Sequence, residues 1–364
     1  MNMIRTNFRL VQHTLILLVI LLLPLTSGYP QNRGTADNII VFPPPPDTAR
    51  IQFLTSISGS SDIVGRPSFF KRYVLGSEPE KPILKPYGLT IHNKKLYICD
   101  TMLPGLEIID FASKTFDYFR PSGMGQLNKP INCTLDDNGN LYVADAGRQQ
   151  VVIFNANGNY LSSIGFGNES KPTDVKIYNQ QLWICDLGTH QIRVAGLNSH
   201  QEIRAFPEPI PENTDYLFSP TNISIENDRI YVSDTGNASV KIFTPEGQFL
   251  GAVGNLGNAP GQFVRPKGIA ADDENNLYVI DAAFENIQMF NEKSRLLMFF
   301  GGHTESPGHL WLPAGIVINA ETISYFQKYK YEEFTFKYLI FVSNQFGPAK
   351  INVYGFIESK ANKK

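Results

Sequence analysis

The 364-residue sequence has little cysteine, little tryptophan and almost no net charge. Its formal net charge of −2 provides no extended electrostatic field, so binding to nucleic acid is disfavoured. Three Cys is an odd number, so at least one thiol lies outside any intramolecular disulfide. CxxC and CxxCH motifs are absent, which excludes covalent haem attachment and the common zinc and redox motifs.

The sequence also lacks the signatures of common hydrolases and nucleotide-binding enzymes. It contains no G-x-S-x-G elbow, no HExxH helix and no phosphate-binding glycine loop. The His residues after position 25 fall at unequal phases of the repeat described below, which disfavours a metal site built from His ligands. These residues are His92, His190, His200, His303 and His309.

One uncharged run lies near the N-terminus, at residues 14–25, after Arg5 and Arg9 and before Gly28. This order is typical of a secretory signal peptide, and the run is shorter than the roughly 20 residues that a membrane span needs. We expect residues 1–28 to be a signal peptide or, alternatively, an uncleaved N-terminal anchor. Both alternatives predict export to the periplasm or the extracellular space, with membrane contact only if the segment is retained.

What the sequence does contain is a repeat. A Pro that opens an apolar run is followed 14 or 15 residues later by an Asp that closes an aromatic run. The five pairs are Pro86 and Asp100, Pro130 and Asp145, Pro172 and Asp186, Pro220 and Asp234, and Pro266 and Asp281. A sixth pair, Pro313 and Asn344, has a longer separation and Asn in place of Asp. Such self-similarity indicates a repeat architecture.

Each repeat contains four short runs of β-forming residues. In the second repeat they are 131–137, 141–145, 151–155 and 160–165, and Asn-Gly signals typical of hairpin turns separate them. Four antiparallel strands in about 40 residues make one blade of a β-propeller. We therefore predict an all-β fold, a six-bladed β-propeller with four antiparallel strands in each blade.

The last blade has too few strands, whereas residues 50–57 form a strand-like run without partners of their own. Pairing the two would complete the blade and remove an exposed edge. We predict that this N-terminal strand closes the last blade. The domain organisation is then a Pro-rich linker over 29–49, one propeller over 50–358 with its blades in 85–357, and a polar tail over 359–364.

The repeated Asp precedes a turn in every copy, and its short carboxylate can accept the backbone N–H groups of that turn. We therefore interpret Asp100, Asp145, Asp186, Asp234 and Asp281 as structural turn residues rather than catalytic ones. They are called the Asp row below.

The pattern Pro-x-Gly-apolar, followed by apolar-Tyr-Val-x-Asp-x-Gly-Asn, resembles the NHL-repeat family of β-propellers over about residues 85–355. The chain looks most similar to exported bacterial six-bladed members that begin with a Pro-rich segment, here residues 41–47. The resemblance implies a binding platform rather than a particular activity.

Two insertions interrupt the repeat and must emerge on opposite faces of the disc. Residues 62–84 carry Phe69, Phe70, Tyr73 and Val74 near helical spacing, which suggests a short helix lying over one face as a lid. Residues 319–338 lie between the first and second strands of the last blade. Aromatic enrichment is typical of interfaces, so we name candidate partner-binding residues in both insertions, while packing of these rings on the propeller itself is the favoured alternative. They are Phe69, Phe70, Tyr325, Phe326, Tyr329 and Tyr331.

A third irregularity is chemical. Asn132, Asp174 and Asn222 stand two residues after their Pro, where three other repeats have Gly. We expect them at the start of the innermost strands, around the central channel, where they could bind a ligand or Ca²⁺ through oxygen atoms. No other cofactor is indicated.

The sequence therefore favours an exported, non-enzymatic binding or scaffold module for a protein, a peptide or a glycan. The alternative is a lactonase- or esterase-like hydrolase with a Ca²⁺-type metal in the channel mouth. An enzyme would need a complete catalytic constellation, and none is evident in the motifs.

Overall fold

The computed structural model describes residues 39–65, 79–304 and 306–359. They form five four-stranded sheets and one five-stranded sheet, and all paired strands are antiparallel. The first strand of each sheet contacts the first strands of both neighbouring sheets, so that six first strands close a ring. This arrangement is a six-bladed β-propeller, which confirms the predicted fold class.

The first three blades have regular strands of five to seven residues. Blade 1 consists of β3 (Pro86–His92), β4 (Lys95–Asp100), β5 (Gly105–Asp110) and β6 (Thr115–Phe119). Blade 2 consists of β7 (Pro130–Leu135), β8 (Leu141–Asp145), β9 (Gln150–Phe154) and β10 (Tyr160–Ile164). Blade 3 consists of β11 (Pro172–Tyr178), β12 (Gln181–Asp186), β13 (Gln191–Gly196) and β14 (Glu202–Phe206).

The other blades follow the same order until the last. Blade 4 consists of β15 (Pro220–Glu226), β16 (Arg229–Asp234), β17 (Ser239–Phe243) and β18 (Phe249–Val253). Blade 5 consists of β19 (Pro266–Ala271), β20 (Leu277–Asp281), β21 (Asn286–Phe290) and β22 (Leu296–Gly301). Blade 6 consists of β23 (Pro313–Asn319), β24 (Phe334–Asn344), β25 (Ile351–Ser359), β2 (Ile51–Ile57) and β1 (Val41–Phe42). Each first strand begins at a Pro, where no ladder N–H is lost.

Blade 6 is completed by the N-terminal strand, as predicted. β2 pairs with β25 from Ile51 opposite Phe356 to Ile57 opposite Ile351. β1 adds a fifth strand by pairing with β2, although the sequence analysis assigned its residues to a linker. The ring is therefore closed by backbone hydrogen bonds between segments that are far apart in the chain.

The insertion in blade 6 is shorter than predicted. β24 begins at Phe334, inside the predicted segment 319–338, because its first residues pair with the end of β25. The remaining loop contains α2 (Ile323–Phe326) and a 3-10 turn (Gln327–Tyr329). Further 3-10 turns are Gly123–Gly125 and Thr235–Asn237.

The other insertion is described only at its ends. α1 (Ser61–Val64) forms directly after β2, and the predicted lid helix with Phe69 and Phe70 lies outside the described residues. No helix within the described ranges is long and apolar enough to cross a bilayer.

The core lies between neighbouring blades, where apolar side chains of one sheet pack on the next. One such cluster joins Trp183 of blade 3 to Phe243 of blade 4, and both rings are at most 1 % exposed. The three cysteines are buried and free in these layers. Burial raises the pKa of Cys185 well above its ordinary value, which leaves a thiol without thiolate character.

If β2 closes blade 6, a substitution at a buried position of β2 should lower the free energy of unfolding more than one at a half-buried position. Ile51→Ala should lower the free energy of unfolding by about 3 kcal/mol, because Ile51 is 0 % exposed between blades 5 and 6. Thr55→Ala, at a half-buried position of the same strand, is the control and should cost less than about 1 kcal/mol. Urea denaturation monitored by fluorescence checks both values, and equal effects would contradict the closure.

Candidate functional site

The propeller has two faces with different loops, because successive strands are antiparallel. One face carries the loops between second and third strands and the loops that enter each blade. We call it the Asp face, since the Asp row ends the second strands there. The turns between first and second strands and between third and fourth strands form the opposite face. The described loops of the Asp face are 58–65, 79–85, 101–104, 120–129, 146–149, 165–171, 187–190, 207–219, 235–238, 254–265, 282–285, 302–304, 306–312 and 345–350.

The Asp row lies fully buried beneath the Asp face, and its carboxylates accept backbone N–H groups. Asp145 accepts four such bonds of 2.6 to 3.0 Å, two from the loop that enters blade 2 and two from the turn after β8. Asp100 and Asp281 are bonded in the same pattern. Each of these carboxylates thus joins two loops of the face.

Each carboxylate also binds the residue that directly precedes the first-strand Pro. The bonds from the backbone N–H groups of these residues are 2.6 to 3.2 Å long. The donors are Lys85, Lys129, Lys171, Ser219 and Arg265. Four of the five are cations, so the Asp row holds the backbone of a partial ring of positive residues where the innermost strands begin.

The sixth copy achieves the same connection with different atoms. Asn344 accepts the Trp311 N–H through Oδ1 at 3.0 Å and donates through Nδ2 to the Ala349 carbonyl at 2.9 Å. Leu312 directly precedes the first-strand Pro of blade 6, as the Lys and Arg residues do in other blades. Its backbone N–H donates to Oε1 of Glu285 from blade 5 at 2.7 Å. Blade 6 therefore contributes no cation to the ring.

Cations and aromatic rings of blades 1, 5 and 6 meet at the channel mouth, where the first strands begin. Nζ of Lys267 lies 5.2 Å from the ring centre of Tyr87, and Nζ of Lys85 lies 5.0 Å from that of Phe346. Arg265 is exposed beside them. We call these five residues the mouth cluster. Within the described chain, none of its three cations forms an ion pair with a carboxylate.

The electrostatics of the mouth cluster favour an incoming anion. Burial, together with the charges of Arg265 and Lys85, lowers the pKa of Lys267 to about 8. Lys267 still carries a proton at pH 7, and a nearby anion would offset the repulsion between the three cations. Burial raises the pKa of Tyr87 above its ordinary value, so its phenol is neutral at pH 7.

Exposed apolar side chains are concentrated on the Asp face. Of the fourteen large hydrophobic residues that are exposed in the described chain, nine lie in its loops. The other five lie on outer strands, and none lies in a described turn of the opposite face. The nine are Val64, Leu84, Met102, Met124, Ile210, Phe218, Leu256, Val264 and Phe346.

Asn132, Asp174 and Asn222 lie at the predicted inner-strand position. Asn132 and Asp174 also form hydrogen bonds with the neighbouring blade. Nδ2 of Asn132 donates to the Thr173 carbonyl at 2.8 Å, and Asp174 accepts the Ile223 N–H at 3.0 Å. Burial raises the pKa of Asp174, although the Lys176 ammonium at 3.4 Å acts in the other direction.

Asn132 and Asp174 thus use polar atoms to tie adjacent inner strands together, and their assignment as ligand-binding residues stays a prediction. Asn222, by contrast, has a buried Oδ1 without a hydrogen-bond partner among residues 39–65, 79–304 and 306–359. All three residues are at most 4 % exposed.

The aromatic residues of the blade 6 insertion pack mainly on their own propeller. Phe326 is 0 % exposed and lies 5.2 Å from Phe111 and 5.5 Å from Phe341, measured between ring centres. This burial corrects its assignment as a partner-contacting residue. Tyr325, Tyr329 and Tyr331 are half-buried on the opposite face, with their rings against Phe111, Phe326 and Phe334 respectively.

Glu107 in β5 is a buried acid that the sequence analysis missed. Neither carboxylate oxygen has a hydrogen-bond partner in the described chain. Burial and the charge of Asp100 raise its pKa to about 9, so it is protonated at neutral pH. The equivalent positions of blades 3 and 4 hold cations, Arg193 and Lys241, which pair with the Asp of their own blade. Blade 1 thus has a neutral acid at the position where blades 3 and 4 have a cation.

Each histidine of the Asp face has its own hydrogen-bond or ion-pair partner. Nδ1 of His190 contacts the carbonyl oxygens of Leu217 and Phe218, and His303 pairs with Glu285. His309 contacts the Ser306 carbonyl. Across residues 39–65, 79–304 and 306–359, no group of three His, Cys, Asp or Glu side chains is arranged to hold a metal ion.

Comparison with known proteins agrees with the fold. A family described as a 6-bladed beta-propeller matches residues 212–297. No curated protein matches the chain at a significant level.

Several solved structures have the same fold. Virginiamycin B lyase from Staphylococcus aureus is 15 % identical, with a TM-score of 0.51 over 74 % of this chain and 84 % of that one. A gluconolactonase from Xanthomonas campestris is 14 % identical, with a TM-score of 0.54 over 76 % and 86 %. A protein of unknown function from Bacteroides thetaiotaomicron is 15 % identical, with a TM-score of 0.57 over 84 % and 76 %. At these identities the likeness establishes the propeller fold alone.

The bonding of the Asp row predicts a large loss of stability when one member is removed. Asp145→Ala should lower the free energy of unfolding by at least about 2 kcal/mol, because four backbone N–H groups lose a buried acceptor. Asp137→Ala, an exposed Asp in the turn of the same blade, should change it by less than about 0.5 kcal/mol. Thermal and urea unfolding measure both, and a tolerated Asp145→Ala would overturn the structural role.

Proposed function

We propose that the protein is an exported, non-enzymatic binding module that holds a protein or peptide partner on the Asp face. The observation that carries the proposal is the concentration of exposed apolar side chains there, with none in the described turns of the opposite face. Exposed apolar residues grouped on one side of a soluble domain are typical of interaction surfaces.

The spread of these residues favours a macromolecular partner over a small ligand. They come from the loops before blades 1, 2, 4 and 5 and from the turns of blades 1 and 6, so they cover most of the disc. Interfaces between proteins are broad, and Met, aromatic residues and Arg are enriched in them. Met102, Met124, Phe218, Phe346 and Arg265 supply these residue types on this face.

The alternative, a lactonase- or esterase-like hydrolase with Ca²⁺ in the channel mouth, has weaker support. Its proposed oxygen ligands were Asn132, Asp174 and Asn222. Asp174 accepts backbone N–H groups from Val175 and Ile223, and Nδ2 of Asn132 donates to the Thr173 carbonyl of blade 3, so both side chains already have a structural role between blades. The gluconolactonase of similar fold supports the alternative only through its architecture.

Affinity capture from the exported fraction of the producing organism, with two pairs of variants, tests the proposal. Met102→Ser with Met124→Ser removes apolar surface that is 66 % and 73 % exposed on the Asp face. Leu161→Ser with Leu250→Ser removes surface that is 51 % and 56 % exposed on outer strands, and it serves as the matched control. We expect one stoichiometric partner that the first pair reduces by about tenfold and the control retains.

Two outcomes would contradict the proposal. One is a partner that the outer-strand pair loses and the Asp-face pair keeps. The other is turnover of a simple lactone or ester by the purified protein that disappears in Asp174→Asn with Asn222→Ala, which would establish the hydrolase instead.

A further inference from the structure

The cations of the mouth cluster lie on the two blades that flank blade 6. Lys85 precedes the first strand of blade 1, whereas Arg265 and Lys267 flank the Pro of blade 5. Blade 6 lies between these blades and has Leu312 and Ala314 at the equivalent positions. A ligand placed over the start of blade 6 would therefore have positive charge on both sides.

The acids near this position are already engaged. Asp100 and Asp281 accept backbone N–H groups beneath the face. Glu285 accepts the Leu312 N–H and pairs with His303. These carboxylates keep their charge, but within the described chain none of them forms an ion pair with the three cations of the mouth cluster, which leaves the ammonium and guanidinium groups open to an anion from another molecule.

The aromatic rings give the same position an apolar component. Tyr87 lies beneath the Lys267 ammonium, and Phe346 lies beside Lys85 with 53 % of its side chain exposed. A cation over an aromatic face is held in place by the ring quadrupole, which pre-organises the charge for binding. The backbone of Lys85 and Arg265 is further held by the Asp row.

We infer that the mouth cluster recognises an acidic peptide segment, with carboxylates between Lys85, Arg265 and Lys267 and an adjacent apolar side chain on Phe346. This inference rests on the proposed function and names the chemistry of the partner at the centre of the same face. An acidic segment fits better than a neutral one because the interface would otherwise desolvate three cations that have no ion-pair partner among the described residues.

Fluorescence anisotropy of the purified protein with a labelled peptide of alternating Glu and Leu tests the inference. We expect saturable binding that weakens with added salt. Arg265→Gln with Lys267→Met should weaken it by about tenfold, because both substitutions keep the side-chain stem and remove the charge. Lys293→Gln, in the opposite-face turn of the same blade, is the control and should leave the affinity unchanged.

Three results would overturn the inference. They are equal binding of a peptide of alternating Lys and Leu, an affinity unaffected by the double variant, and stronger binding of an oligogalacturonate than of the acidic peptide. The last result would assign the cluster to an acidic glycan. If the mouth cluster fails these tests while the Met102 and Met124 variants still lose the captured partner, the proposed function stands without an acidic segment.

Discussion

A buried carboxylate that accepts several backbone N–H groups is the interaction on which both the loops and the candidate site of this propeller depend. The strands of a blade can form from local patterns, but the long loops between blades have few partners within the sheets. Asp100, Asp145 and Asp281 supply those partners by binding the entering loop and the following turn together. A charged acceptor strengthens such bonds, and its burial makes their loss costly.

The same carboxylates connect the architecture with the candidate site. Because each one binds the residue before the first-strand Pro, that residue has a fixed backbone and can carry any side chain. Four of the six copies place Lys or Arg there, and blades 4 and 6 have Ser219 and Leu312 instead. The repeated hydrogen bond thus fixes a ring of residues around the channel whose side chains can vary. In this chain most of these side chains are cationic, although the protein has a net charge of −2. The charge is local, which is why the composition of the whole sequence does not indicate it.

Much of the fold could be predicted because it follows from spacing. The repeated Pro and Asp marked the blades, and the partnerless run at 50–57 identified the closing strand. The extent of β24 could not be predicted, since its first residues pair with the end of β25 rather than follow the repeat.

The site was harder to predict because side-chain partners are not visible in a pattern. Asn132 and Asp174 have the residue types of ligands, yet each also forms a hydrogen bond with a backbone group of the next blade. Phe326 has the residue type of an interface, yet it fills the space against Phe111 and Phe341. The signal that was overlooked is the Lys or Arg before the Pro, which an alignment of the six copies contains.

The proposed function requires that partners bind the Asp face and not the insertion on the opposite face. Photo-cross-linking in the producing organism distinguishes the two faces, with benzoylphenylalanine at Phe346 or at Gln327, which is exposed in the 3-10 turn of the insertion. We expect a cross-linked partner from position 346 and none from position 327. A partner that cross-links from position 327 and not from position 346 would contradict the proposed function.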